Sequence, residues 1–156
     1  MKELLTASDK YILFDIAGTT YAIHSRSVQQ IEMIEHVVPL PNAPAFVDGV
    51  VFTRGHVIPA LSLRARFGFE RVPHTNRTRL LVVRSGDRMV GLIVDAAREF
   101  MAIYPDAIQP PGESMAGLSG EYLQGMVTMG ERIILVVNLD EIIRLSQVLE
   151  EMSGKS

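Results

Sequence analysis

Gly49-Val-Val-Phe-Thr-Arg-Gly-His-Val-Ile-Pro-Ala-Leu-Ser-Leu63 occurs a second time, respelled, as Gly125-Met-Val-Thr-Met-Gly-Glu-Arg-Ile-Ile-Leu-Val-Val-Asn-Leu139. The two stretches lie 76 positions apart and align without a gap. Val50 falls on Met126, Val51 on Val127, Val57 on Ile133, Ile58 on Ile134, Leu61 on Val137 and Leu63 on Leu139, so apolar character survives where identity does not. Gly49 falls on Gly125, and Ser62 on Asn138, both side chains that cap helices. Each stretch reads as two short strands rich in β-branched residues, followed by a capped helical turn.

Upstream of each copy stands another hairpin pattern. Tyr11-Ile-Leu-Phe14 and Tyr21-Ala-Ile23 flank Gly18-Thr-Thr20, and Leu80-Leu-Val-Val83 and Met89-Val-Gly-Leu-Ile-Val94 flank Ser85-Gly-Asp87. The repeated unit is therefore hairpin, excursion, second hairpin, capped helix. About 70 residues with five or so short strands close most easily into a small barrel, which removes exposed sheet edges. The expected fold is mainly β: two small five-stranded β-barrel subdomains packed together, with short helical turns and a C-terminal helix. One domain over 8–149 is expected, divided near 8–78 and 79–149, with 150–156 as a tail. The polar stretch Phe69 to Arg79 is the expected passage between the barrels.

Three helical features are expected. Asn42-Ala-Pro44-Ala-Phe46 reads as a single capped turn. Ser62 caps a turn over Leu63 to Phe67 that Gly68 stops. Asn138 and Glu141 stand in capping-box spacing ahead of Ile142, Leu145 and Leu149, one apolar helix face.

Composition removes several function classes. The chain has 156 residues, 47% apolar and 21% charged, as in ordinary globular domains. No apolar run exceeds five residues, as at Ile133 to Val137, against about 20 for a membrane-spanning helix. No secretory signal is read in the first ten residues, so a cytoplasmic location is expected. The absence of cysteine excludes disulfides and thiolate metal sites. Net charge is −3, from 15 basic and 18 acidic residues, which argues against general nucleic-acid binding. Seven arginines between Arg64 and Arg88 face only Glu70 and Asp87 in the same span. The local surplus suits an acidic partner surface, but solvated loops and charged strand edges account for most of these arginines.

Catalytic constellations are scarce. Phe14-Asp-Ile-Ala-Gly-Thr-Thr20 resembles the nucleophile loop of haloacid-dehalogenase-type phosphotransferases, which would make Asp15 a nucleophile. That chemistry needs an acidic pair for magnesium and, in the phosphonate-cleaving branch, a lysine. Lys155 is the only lysine after Asp15, and strand pattern resumes at Tyr21 where that fold starts a helix. The segment is read as a hairpin turn. His24, His36, His56 and His74 are scattered, and no metal or cofactor is expected. The residues point to a binding module and not to an enzyme.

The stretch Asn42 to Gly68 resembles the signature of the CheW family of chemotaxis coupling proteins, approximately N-x-P-x-F-[VI]-x-G-V-x-N-L-R-G-x-[VI]-[VI]-P-[VI]-x-D-L-R-x-[KR]-F. Val28-Gln-Gln-Ile31, Val90-Gly-Leu-Ile-Val-Asp95, Leu118 to Gly125 and Gly130 to Leu139 resemble the family in the same order. The resemblance implies a non-catalytic adaptor that joins the cytoplasmic tips of methyl-accepting chemoreceptors to the regulatory domain of the histidine kinase CheA, in membrane-associated receptor arrays. It implies receptor-facing roles for Val28, Ile31, Arg54 and Val94, and kinase-facing roles for Val47, Gly49 and Val50. On the residues alone, Val28 and Ile31 fit a core strand as well as a groove, Arg54 fits a loop residue bonded locally, and Gly49 fits a purely geometric need. The chain departs from the pattern at Phe52-Thr53, at Ser62 and at Gln30. These departures leave room for a CheW-like scaffold of a parallel kinase pathway, controlling motility or biofilm formation. An Asp15-dependent phosphotransferase is the remaining alternative.

Overall fold

The computed structural model describes residues 9–110 and 120–144. Ten strands form two five-stranded sheets. The first has the order β8-β1-β2-β10-β9, built from β1 (Asp9–Ile16), β2 (Thr19–His24), β8 (Ala96–Ile103), β9 (Leu123–Met129) and β10 (Arg132–Val137). The second has the order β3-β6-β7-β5-β4, built from β3 (Val28–Met33), β4 (Val47–Thr53), β5 (His56–Ser62), β6 (Arg79–Ser85) and β7 (Arg88–Val94). Two short helices, α1 (Leu63–Arg66) and α2 (Leu139–Ile143), follow β5 and β10.

All four expected hairpins form, and the repeat holds element by element: β4, β5 and α1 shifted by 76 become β9, β10 and α2. The halves do not close on themselves, however, which corrects the expected division at 78/79. The β1–β2 hairpin joins the late hairpin β9–β10 through parallel pairing of β2 with β10, and β6–β7 joins the early hairpin β4–β5 through parallel pairing of β7 with β5. Each repeat lends its first hairpin to one sheet and its next three strands to the other. The chain changes sheets at the 3-10 turn Ser25–Ser27 and at Asp95. Phe69 to Arg79 is accordingly no passage between barrels, because β5 and β6 belong to the same sheet.

Among the described residues, one isolated bridge closes each sheet. Beyond β3 the chain crosses to β4, where Val38 and Val50 exchange two backbone hydrogen bonds of 2.9 Å. Beyond β8 it crosses to β9, where Gln109 and Met126 exchange two of 2.8 Å. Gly49 and Gly125 sit at these crossings. A Cβ on Gly49 would lie 2.0 Å from the Val38 carbonyl oxygen, and one on Gly125 would lie 2.6 Å from that of Gln109. The repeated glycine is thus the condition for closing each barrel.

Three apolar clusters fill the molecule. Leu13, Ala22, Val127, Ile134 and Val136 fill the first sheet, and Val51, Ile58, Ala60, Leu80 and Val82 the second. The largest cluster lies between them, with Ile12, Phe14, Tyr21 and Ile23 from one sheet and Leu61, Leu81, Val83, Leu92 and Val94 from the other. Alternation along β1 explains this: Leu13 points into its own barrel, while Ile12 and Phe14 point to the partner barrel.

Ser62 Oγ accepts from the Ala65 N–H (3.2 Å), and Gly68, at φ +90°, ends the turn after α1 as expected. Asn138 Oδ1 accepts from the Glu141 N–H at 3.3 Å, the forward arm of the box. Ile142 is buried, while Leu145 and Leu149 lie outside the described residues. Asn42 to Phe46 is a turn and not a helix. Asn42 has φ +60°, outside the extended conformation an N-cap needs.

Candidate functional site

Strand β3 carries an extra residue, Gln29, opposite Val83 of β6. This β-bulge puts Val28, Ile31 and Met33 on one face despite their odd spacing, because they stand opposite Val83, Leu81 and Arg79. Leu81 and Val83 belong to the cluster between the sheets, so this face looks toward the first sheet. Val28 is half-buried against that cluster, Ile31 is 38% exposed and Met33 60% exposed.

Strand β8 repeats the device 69 residues later. Arg98 is the extra residue, and Ala97 and Phe100 stand opposite Phe14 and Ile12, again on the face toward the shared core. Ala97 takes the place of Val28, and Phe100, 60% exposed, that of Ile31. The shared core therefore reaches the surface along both outer strands. The sequence reading did not single out Phe100. The 69-residue offset was its only signal, and it lies in a segment with no turn residues to mark the strand.

Val94 is placed differently from expectation. It is 1% exposed, inside the shared core opposite Arg79, on the same sheet as β3. Its side chain is enclosed by the shared core, whereas Phe100 on the first sheet is exposed. Gln30, one of the departures from the family pattern, points away from this face. It stands opposite Val82 and approaches the buried Thr53 hydroxyl, which donates to Glu32 at 2.6 Å inside the second barrel.

Arg54 and Gly55 form the two-residue turn between β4 and β5, with φ +47° and +84°. Both positive angles fit the type I′ turn that matches strand twist. Arg54 is exposed and makes no hydrogen bond or ion pair among the described residues, so its guanidinium is available to a partner.

On the same hairpin, Val47 and Gly49 are buried, and Val50 is half-buried at the closing bridge. Gly49, at φ +148°, acts through backbone geometry. The accessible apolar surface here belongs to Phe52 (72% exposed) and Val57 (64% exposed), directly opposite each other across β4 and β5. Their outward pairing is the second candidate face.

Polar ties hold these faces in place. Asp95, at the crossing from β7 to β8, accepts from the Ala17 N–H (2.8 Å) and from Arg64 Nε and Nη2 (2.8 and 2.7 Å). Burial works against ionisation of Asp95, but the Arg64 and Ala17 hydrogen bonds and the Arg64 charge outweigh it and hold the carboxyl below its ordinary value. Arg64 is raised in turn by the same hydrogen bonds. Burial pushes the Tyr11 and Tyr21 phenols up. Arg66 of α1 donates to the Ile142 and Glu141 carbonyls of α2 at 3.0 and 3.2 Å, with its guanidinium over the Tyr122 ring at 4.4 Å. Arg71 Nε donates to Asp48 at 2.8 Å. Several of the clustered arginines are thus internal ties. Asp15 sits in a hairpin, its Oδ1 accepting from Thr20 Oγ1 at 3.2 Å, and no helix follows it as a dehalogenase-type nucleophile loop requires. Among the described residues, no three His, Asp or Glu side chains are placed to hold a metal ion.

A family model described as CheW-like domain matches residues 10–147. The chain belongs to the CheW family. It is 29% identical over 138 residues to "Chemotaxis protein CheW" of Klebsiella aerogenes, covering 88% of this chain and 83% of that protein. Identity to "Chemotaxis protein CheW" of Rhizobium meliloti is 28% over 141 residues, covering 90% and 91%. The crystal structure of the scaffolding protein TtCheW from Thermoanaerobacter tengcongensis superposes with a TM-score of 0.80 at 24% identity, covering 87% of this chain and 88% of that one. That likeness shows the same fold. The CheW family is a family of chemotaxis scaffold proteins and not of enzymes, which fits the hairpin setting of Asp15.

Proposed function

We propose that the chain is a cytoplasmic adaptor that couples the tip of a chemoreceptor to the regulatory domain of the histidine kinase CheA. The observation that carries this reading is the exposed apolar set Ile31, Met33 and Phe100 on β3 and β8, the strands whose Val28 and Ala97 border the shared core, in a member of a scaffold family. Exposed apolar side chains joined to a rigid core are what an apolar helix tip needs for docking. Arg54, unpaired in the turn at the end of the β4–β5 hairpin, supplies the receptor a polar contact that sets register, while the flank of that hairpin is left to the kinase. The kinase-facing role assigned to Val47, Gly49 and Val50 is carried by their hairpin: Gly49 shapes it, Val50 borders it, and Phe52 with Val57 make the contact. Two separate faces let one molecule hold both partners, and recruitment to receptor arrays follows.

Phe52 also stands where the family pattern has Asn, and among the described residues it is the most exposed large apolar side chain. That favours a kinase surface adapted to one partner, which is compatible with a parallel pathway. Calorimetric titration with the host's CheA regulatory domain tests the reading. Saturable binding that Phe52→Asp weakens and Ile31→Asp leaves unchanged supports it, and absence of binding to every CheA of the host refutes it.

A further inference from the structure

An open cleft of about 470 Å³ lies between the start of β6, with Arg77 and Arg79, and the start of β8, with Ala96, Ala97, Arg98 and Glu99. It continues the apolar margin on both sides, since Met33 stands opposite Arg79 and Ala97 borders the shared core. Three guanidinium groups meet there with one carboxylate, Glu99, on a chain whose net charge is −3. Their internal partners are few. Arg79 donates to the Asn76 and Thr78 carbonyls (2.8 and 2.9 Å), which neutralise none of its charge. Arg98 is ion-paired with Asp15 at 3.6 Å, a loose contact on a half-exposed side chain. The exposed Arg77 side chain has no ion pair or hydrogen bond among the described residues.

Positive charge in excess at a cleft, here on Arg77 and Arg79, attracts anions and steers their approach. From this charge and its continuity with Met33 and Ala97, we infer that the cleft reads an acidic helical segment of the receptor tip, beside the apolar residues that Ile31 and Phe100 receive. Arg77, Arg79 and Arg98 then act as specificity determinants that favour receptors with carboxylates at that point and reject those with lysine or arginine. The inference rests on the adaptor reading and deepens it by naming the chemistry of the partner.

The test is calorimetric titration of the host receptor's soluble tip fragment into wild type, Arg77→Glu/Arg98→Glu and Arg77→Lys, at low and high salt, with the CheA regulatory domain as a second titrant. Charge reversal is expected to weaken receptor binding roughly tenfold at low salt and less at high salt, because exposed charges are screened. Arg77→Lys should stay near wild type, and kinase affinity should be unchanged in all three. Wild type that binds the tip with an affinity unaltered by charge reversal overturns this inference and leaves the adaptor reading standing. Wild type that ignores the tip overturns both. Wild type that ignores the tip and binds anionic phosphatidylserine vesicles assigns the arginines to a membrane surface instead.

Discussion

Substituting Gly49 with alanine separates a geometric role from a contact role. The added Cβ would lie 2.0 Å from the Val38 carbonyl oxygen, 2.7 Å from its carbon and 2.9 Å from Pro39 Cα. These are backbone atoms, so no side-chain rotation relieves the overlap. The crossing segment must lift off β4, which breaks both Val38–Val50 hydrogen bonds. Each is worth about 1 kcal/mol net, and forcing a side chain to φ +148° adds about 1–2 kcal/mol. The sum is about 3–4 kcal/mol, a large share of the roughly 5–15 kcal/mol that holds a domain together. At roughly 2–4 °C per kcal/mol for a domain of this size, Tm falls by about 10 °C. Gly18→Ala is the control: φ is +83° there, but nothing lies within 4 Å of the new Cβ, so the cost is about 1 kcal/mol. Scanning calorimetry of both variants decides the matter. A Tm for Gly49→Ala equal to that of Gly18→Ala would refute the argument from barrel closure.

Other perturbations follow from the same geometry. Phe52→Asp, on an exposed pair, should leave Tm within about 1 °C and weaken CheA binding about tenfold or more, as the loss of an aromatic anchor does; titration calorimetry with a melting curve reads both. Val94→Asp buries an unpaired carboxylate and should cost at least about 3 kcal/mol in urea unfolding, whereas Ile31→Asp should keep the fold by circular dichroism and lose receptor binding. Asp95 has a folded pKa below its ordinary value, so its stabilisation is complete above the unfolded carboxyl pKa and fades as pH drops through the folded one. Asp95→Asn should therefore be less stable than wild type at neutral pH, with the difference shrinking on acidification; a difference that grows in acid would reverse the assignment.

The sequence carried the local structure further than the assembly. Hairpins, turns and both capped helices were legible because alternation, glycine and capping side chains act within a few residues. The exchange of hairpins between sheets was not, because parallel pairing of β2 with β10 joins residues more than a hundred positions apart and leaves no local trace. Strands β3 and β8 escaped the alternation reading for a definite reason. Each contains a bulge, at Gln29 and Arg98, and an extra residue breaks the period of two that marks a half-buried strand. The same bulges hid the common face of Val28 and Ile31 and the counterpart Phe100. Val94 was singled out by the family resemblance, and one sequence does not distinguish the margin of a core from its interior. Asp95, which ends a family-like segment in the sequence, is a tie among the turn after β1, α1 and the crossing to β8.

The central claim is that one molecule holds a receptor tip and a kinase domain at once, on separate faces. Sedimentation velocity on the protein mixed with a soluble receptor tip fragment and the CheA regulatory domain tests it most directly. A ternary species absent from every pairwise mixture is expected, lost on Ile31→Asp through the receptor and on Phe52→Asp through the kinase. Competition between the two partners, with only binary species at any ratio, would contradict it.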